Sequence, residues 1–378
     1  MSIDPDTRSK LTTLRRQYFQ LVEPAHLRWM DTVILKAPNV QQWIYTNLFD
    51  SNKITSSPPE RYQHRVLKAL ISKLEIAMDD PEEDVWMLFS YPIELRSTAA
   101  NQTEISDDLM SALSSLFSAN LPSESTSAQQ KAFVTYAYPL RSSDDSTSDD
   151  RTVTLLESRS VISSAGTTGL RTWEAALLLG AFLTSETGRE LVHGKNVLEL
   201  GAGTGMISIL CAKYLGVSGI VATDGDEVVV DAIKTNIFLN GLDADESSQS
   251  RIRTAALKWG WPIDASSFVE DYGMEPPNVL LGADVTYDKF VIPSLVSTLR
   301  EFFELNSALQ VLIAATIRNE QTFETFQNVC RRNGFSLEDM DVQPVPEQLQ
   351  DGPFYPTSTP IQIWRITRRH PSQAPFAF

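Results

Sequence analysis

The chain has 378 residues, and its 48 Asp and Glu against 32 Lys and Arg give a formal net charge of -16. Affinity for nucleic acid draws on clustered Lys and Arg at phosphates, so this balance argues against a protein that binds mainly by gripping phosphates. With 42% hydrophobic and 21% charged residues, a sizeable core can be buried and wholesale disorder is disfavoured.

At ~150 residues per domain the length suggests two or three units. From Asp6 to about Pro139 the apolar spacing predicts helices joined by polar segments. Leu11, Leu14, Tyr18, Leu21 and Val22 form one stripe, and Asn39 to Phe49 is a shorter candidate helix. Val66, Leu67, Leu70, Ile71, Leu74 and Ala77 form a second stripe within Pro59 to Met78, and Asp107 to Phe117 is another short candidate. A small helical domain accounts for this region. Residues Arg141 to Asp150 contain no apolar side chain and read as an acidic, Ser-rich linker. It sets a boundary between a helical domain over 1–150 and a second domain over 151–378.

After the linker the period changes. Thr152 to Leu156 and Ser160 to Ile162 read as short strands, and Thr172 to Thr184 as a helix. A strand, turn and helix then recur: Asn196 to Leu200 into Met206 to Leu215, Gly219 to Thr223 into Glu227 to Asn240, Asn278 to Ala283 into Phe290 to Phe303, and Gln310 to Thr316 into Glu320 to Asn333. That alternation predicts an α/β fold with a mostly parallel sheet covered by helices. Gly241 and Gly334 fit helix stops, where a left-handed residue ends the helix. The last strand, Ile361 to Ile366, follows the proline-rich loop Gln343 to Pro360 with no helix between, and so can run antiparallel.

Only Cys211 and Cys330 are cysteines, and neither sits in a metal-ligand pair or a C-x-x-C motif, so no zinc site or disulfide scaffold is expected. The amino terminus lacks a basic segment leading into an apolar one, and the densest apolar run, Ala175 to Leu183, is far short of the ~20 residues that span a bilayer. No membrane association is expected, and cytoplasmic placement is the default.

The strongest chemical signal is Val197-Leu198-Glu199-Leu200-Gly201-Ala202-Gly203-Thr204-Gly205. A buried strand enters a glycine-rich turn and then a helix, which lets backbone approach a ligand closely. A dinucleotide fold wants G-x-G-x-x-G, and Met206 stands where its third glycine belongs. The spacing here is G-x-G-x-G, preceded by the acidic Glu199. That acid suits a ligand with an ammonium group, which S-adenosylmethionine has and NAD lacks. Asp224 ends the next strand, where nucleotide-binding folds hold ribose hydroxyls. It could instead cap the following helix, although Asp226 is equally available for that job.

Trp259 follows the third strand at the carboxyl edge of the sheet and reads either as a wall of the adenine pocket or as a loop anchor. Trp173, at the start of the helix entering the domain, carries the same two readings. Ala283-Asp284-Val285-Thr286-Tyr287 ends the fourth strand, where Asp284 and Tyr287 can handle a nucleophile. There is no Asp/Asn-Pro-Pro-Tyr turn of the kind used on adenine amines, and neither cysteine is placed as a nucleophile. An aliphatic amine is the acceptor that fits.

Together these residues resemble the seven-stranded, S-adenosylmethionine-dependent methyltransferases of family 16, which modify protein lysines, and within them the elongation factor 2 lysine methyltransferases. The resemblance rests on Gly166 to Ala176, the glycine loop, Asn236 to Leu242, Ala283 to Tyr287, and Ala315-Thr316-Ile317-Arg318-Asn319, the most discriminating segment. It is good from about Ser160 onward and weak before. It implies a Rossmann-like class I sheet over 151–378, preceded by a mostly helical domain. It further implies S-adenosylmethionine contacts from Trp173, Gly201, Ala202, Gly203, Asp224, Trp259 and Ala283, beside Glu199. Asp284 and Tyr287 match the family's D-x-x-Y motif, associated with activity. The implied partner is a protein substrate, elongation factor 2, met by a monomeric enzyme that does not engage nucleic acid directly. The alternatives are a methyltransferase of the same fold acting on another protein or a small metabolite, and an inactive cofactor-binding scaffold.

Overall fold

The computed structural model describes residues 3–78, 104–119, 121–140, 150–158, 167–243 and 251–368. Residues 141–149 of the acidic linker, the expected strand Ser160 to Ile162, and Gly166 lie outside them. The chain divides into two compact units, Met1–Tyr136 and Ala137–Phe378.

The first unit is built from helices Pro5–Phe19, Pro38–Ile44, Glu60–Met78 and Asp107–Ser118. Asp4 starts the first by accepting a hydrogen bond from Thr7 N at 3.0 Å, which satisfies one of the free N–H groups of the first turn. The stripe from Val66 to Ala77 is buried throughout, and it shares a core with Leu11, Leu14, Tyr18, Ile44 and Leu48. The first stripe is shorter than its spacing suggests. The helix stops at Phe19, and Leu21 takes a left-handed conformation with φ 59°. Gln41 ties two segments together, donating from Nε2 to Lys36 O at 3.1 Å and accepting from Ser106 N at 2.8 Å.

Strands β1 (Lys131–Tyr138) and β2 (Arg151–Ser158) come next in the chain, and β1 corrects the helical expectation for the stretch up to Pro139, since its residues alternate in burial as a strand's do. The second unit centres on a seven-stranded sheet made of β3 (Asn196–Leu200), β4 (Gly219–Asp224), β5 (Ile252–Ala256), β6 (Val279–Ala283), β7 (Gln310–Thr316), β8 (Phe335–Asp339) and β9 (Ile361–Arg368). Their order is β5-β4-β3-β6-β7-β9-β8. From β3 to β7 all pairings are parallel, with Val197 opposite both Ile220 and Val279. β9 runs antiparallel to β7 and β8, as the loop without a helix permits. Strand β8 has no counterpart among the sequence expectations, because Phe335 and Leu337 alternate with polar residues over only five positions at a sheet edge.

Helix Ile292–Leu305 puts Leu295, Val296, Leu299 and Phe302 against Leu280, Val311 and Ile313 in one continuous core. Gly241 and Gly334 adopt φ 65° and 78° just past Asn240 and Asn333, as the helix-stop reading requires. The strand order reverses at β3, whose neighbours are β4 and β6. Ligands bind beyond the carboxyl ends of the strands at such a switch point.

The helix Glu174–Thr184 is fitted to this unit by a missing side chain. A Cβ on Gly180 would stand 2.4 Å from the Tyr138 hydroxyl, which donates to Met206 Sδ at 3.2 Å. Gly180→Ala, which favours helix by propensity, is therefore expected to lower stability by about 1–3 kcal/mol through overpacking. Urea titration checks this, and Tyr138→Phe, which deletes the nearest atom, should recover part of the loss.

Candidate functional site

Beyond β3 the chain turns through Gly201, Gly203 and Gly205, at φ 62°, 55° and 80°. Side chains are strained in that region, and here they also lack room. A Cβ on Gly201 would lie 2.8 Å from Val285 Cγ1, and one on Gly203 would lie 3.1 Å from the Gly169 carbonyl. Ala202 N donates to Thr223 O at 2.8 Å, and Gly203 N donates to Asp224 Oδ2 at 3.2 Å, which fastens the turn to the end of β4. Asp226 caps the next helix by accepting from Val228 N at 2.9 Å. Asp224 is thus released from capping and faces the glycine turn. Burial pushes its carboxyl above the usual range, against backbone hydrogen bonds that favour the ionised form.

These loops enclose a cavity of about 430 Å³, within the size range of small-ligand sites. All ten residues singled out in the sequence line it: Trp173, Glu199, Gly201, Ala202, Gly203, Asp224, Trp259, Ala283, Asp284 and Tyr287. The two tryptophans are held differently. Trp173 Nε1 donates to Thr168 O at 3.2 Å, and the guanidinium groups of Arg171 and Arg318 lie 5.6 and 5.1 Å from its ring centre. Trp259 packs beside Gly201, and its indole N–H is buried with no hydrogen-bond partner.

At the end of β6, Asp284 enters the left-handed region with φ 53°, a strained conformation for a residue other than glycine. Thr316 holds its carboxylate, donating from N at 2.8 Å and from Oγ1 at 3.0 Å. Tyr287, 64% exposed, stands on the loop that follows.

Glu199 departs from the simple picture of an open carboxylate awaiting an ammonium group. It is buried, and Ser208 donates to Oε2 from both its backbone N, at 2.9 Å, and its hydroxyl. Burial pushes this carboxyl up to about 8, against those two hydrogen bonds and with some help from Asp224. The two cysteines are buried as well, Cys211 with its thiol well above the usual range and Cys330 at about 12. Neither is disposed to act as a thiolate.

For several supporting residues in the segments noted above, the sequence did not show the role. Thr172 Oγ1 donates to Glu157 Oε1 at 2.6 Å and lies 2.7 Å from Thr204 Oγ1. Asn236 accepts from Leu156 N at 2.8 Å and donates to Thr204 O at 2.9 Å, while Asn240 bridges both backbone groups of Thr154. The Asn236 to Leu242 segment is therefore a clip between β2 and the glycine turn. Asn319 is a helix cap, accepting from Thr322 N at 3.0 Å.

A sequence model described as lysine methyltransferase matches residues 150–332. Protein-lysine N-methyltransferase EFM3 of Chaetomium thermophilum is 43% identical over 353 residues, covering 93% of this chain and 96% of that protein. The chain belongs to the lysine methyltransferase family. EFM3 of Saccharomyces cerevisiae is 34% identical, covering 58% of this chain and 67% of the relative. Human protein-lysine N-methyltransferase EEF2KMT is 34% identical, covering 52% and 58%.

This protein-lysine methyltransferase uses S-adenosylmethionine, which when bound supplies a methyl group on a positively charged sulfur. The cavity fits such a group. It has side-chain-free backbone at Gly201 and Gly203, a carboxylate at the end of β4 for a ribose diol, and a buried indole N–H still in need of an acceptor.

Two variants test this construction. Gly203→Ala forces a left-handed residue with a cost of about 1–2 kcal/mol and crowds Gly169, so calorimetry should show S-adenosylmethionine bound at least about tenfold more weakly. Glu199→Gln tests the buried acid. Between the ordinary 4.5 and about 8, the folded state keeps a proton that the unfolded chain releases. Wild-type stability should therefore fall as pH rises through that window, by at most about 1.4 kcal/mol per unit. The Gln variant lacks this slope, and thermal melts should show it gaining on wild type as pH rises.

Proposed function

We propose that this methyltransferase modifies a lysine of elongation factor 2 in the cytoplasm, acting as a monomer, with Asp284 and Tyr287 as its catalytic residues. Support for the substrate comes from the Ala315 to Asn319 segment and from similarity to the human relative named EEF2KMT. The formal charge of -16 favours a free protein over an RNA-bound one as the partner. The helical region that precedes the sheet offers a docking surface, which a small metabolite would not need. Among the described residues, no helix is long and apolar enough to cross a membrane.

In this reading Gly201, Ala202, Gly203 and Ala283 shape the cofactor's bed, and Asp224 accepts from its ribose. Trp259 and Trp173 wall the cavity, while Glu199 lies toward the ammonium end. One observation carries the catalytic assignment. Asp284 leaves β6 in a strained conformation at the cavity, its carboxylate oriented by Thr316, while exposed Tyr287 stands on the next loop.

The acceptor must be a neutral amine. At pH 7 a lysine with an ordinary pKa of ~10.4 needs about 4.6 kcal/mol to become neutral. A carboxylate beside it opposes that change, whereas desolvation among aromatic and apolar groups favours it. Asp284 accordingly serves to orient the amine, Tyr287 packs on the lysine stem, and the proton leaves to water. Alignment of the amine supplies much of the remaining rate gain.

The experiment is incubation with methyl-labelled cofactor and a cytosolic lysate depleted of this protein. Label is expected in a band at the mass of elongation factor 2, and purified factor should reproduce it. Asp284→Ala should retain cofactor binding and lose at least about a hundredfold in turnover, in line with the loss of a positioning group. Label found in RNA or a small metabolite, or Asp284→Ala turning over like wild type, overturns the reading.

A further inference from the structure

The aspartate at the end of β6 shares its surroundings with a second carboxylate. Glu174 opens the helix after Trp173, and Arg318 joins the two acids. Its Nη2 donates to Glu174 Oε2 at 2.6 Å, and its Nη1 lies 3.6 Å from Asp284 Oδ1. The same guanidinium lies over the Trp173 ring. Arg318 is itself anchored two residues beyond Thr316, donating from its backbone N to Thr316 O at 2.9 Å. Thus the strand that supplies both Thr316 hydrogen bonds to Asp284 also leads to the cation that connects Asp284 with Glu174.

We propose that Arg318 is a positioning residue that offsets one of the two negative charges of the Asp284 and Glu174 pair, so that the acceptor amine meets one net negative charge and not two. This rests on the lysine-modifying reading above. Two uncompensated carboxylates would hold an arriving lysine as ammonium, the unreactive form, and would also favour a proton on one of themselves. Arg318 acts against both effects. Its charge is permanent, and its planar head can serve two carboxylates at once. The directions agree: burial raises the Asp284 carboxyl, Thr316 and Arg318 lower it, and Glu174 raises it.

Besides Asp284, the ionisable or charged groups that line the cavity are Arg171 beside Trp173, Glu199 from β3, Asp224 and Asp226 beyond β4, Lys258 beyond β5, and Tyr287 beyond β6. Arg318 and Glu174 stand behind that lining, and Arg318 reaches it through its contacts with Asp284 and the Trp173 ring.

The test has two readouts. Carbon-detected NMR follows the Asp284 carboxyl, assigned by its loss in Asp284→Asn, in the full chain without cofactor. Arg318→Gln should raise its titration midpoint by about one pH unit. Arg318→Lys should hold most of the wild-type value, and Glu174→Gln added to Arg318→Gln should return it toward wild type. The pH profile of kcat/KM should follow, its ascending limb moving to higher pH in Arg318→Gln and returning in the double variant. That shift corresponds to about a tenfold loss on the limb. An Asp284 midpoint unmoved in Arg318→Gln, or a shift that Glu174→Gln does not reverse, overturns the proposal. Wild-type inactivity toward elongation factor 2 overturns the substrate reading alone, because the titration decides the role of Arg318 without turnover.

Discussion

The cavity depends on the chain leaving β3 through left-handed backbone at three glycines. Glycine loses more conformational entropy on folding than any other residue, so a run of them needs tertiary support. That support comes from β4: Ala202 N is fixed by Thr223 O and Gly203 N by the Asp224 carboxylate. Thr223 also uses its hydroxyl to reach Glu199 O at 2.7 Å, closing the link between the two strand ends. Asp224 is therefore positioned by the turn that it helps to hold, and turn and ligand site are one construction.

A second construction stands across the switch point. β6 and β7 pair in parallel, Ala283 opposite Ala314, so their carboxyl ends emerge side by side. Asp284 N donates to Ala314 O, and Thr316 returns two hydrogen bonds to the Asp284 carboxylate. These bonds offset the strain of the left-handed aspartate. The D-x-x-Y motif and the Ala315 to Asn319 segment are thus neighbours in space. Their separate signals in the sequence meet in one place: Thr316 holds the Asp284 carboxylate, Arg318 lies beside it, and Asn319 starts the helix that carries the strand end onward.

Much of this is legible in the residues. The strand, turn and helix alternation has the same periods in sequence and structure, because buried parallel strands need continuous apolar runs and covering helices need one apolar face. Nine of the ten proposed site residues line one cavity because the carboxyl ends of β3, β4, β5 and β6 converge at the switch point, and Trp173 joins them from the start of the helix Glu174–Thr184. The edge strand β8 is not legible, since five residues of weak alternation resemble a loop and gain their pairing from β9. The state of Glu199 is equally hidden. An acid before a glycine turn reads as an exposed partner for a cation until Ser208, one helical turn into the next element, occupies its carboxyl.

The sequence by itself determined the order of elements, the backbone freedom of the glycine turn, and the acids at the strand ends, because each depends on local conformational energy or on periodic burial. Only the tertiary structure decided how those acids differ. Asp226 caps a helix, Asp224 faces the glycine turn, Glu199 is pushed by burial toward its protonated form, and Asp284 is held by Thr316 beside Arg318. Four carboxylates of the same intrinsic chemistry receive four environments. Desolvation and hydrogen-bond partners act through space, and no one-dimensional pattern contains them.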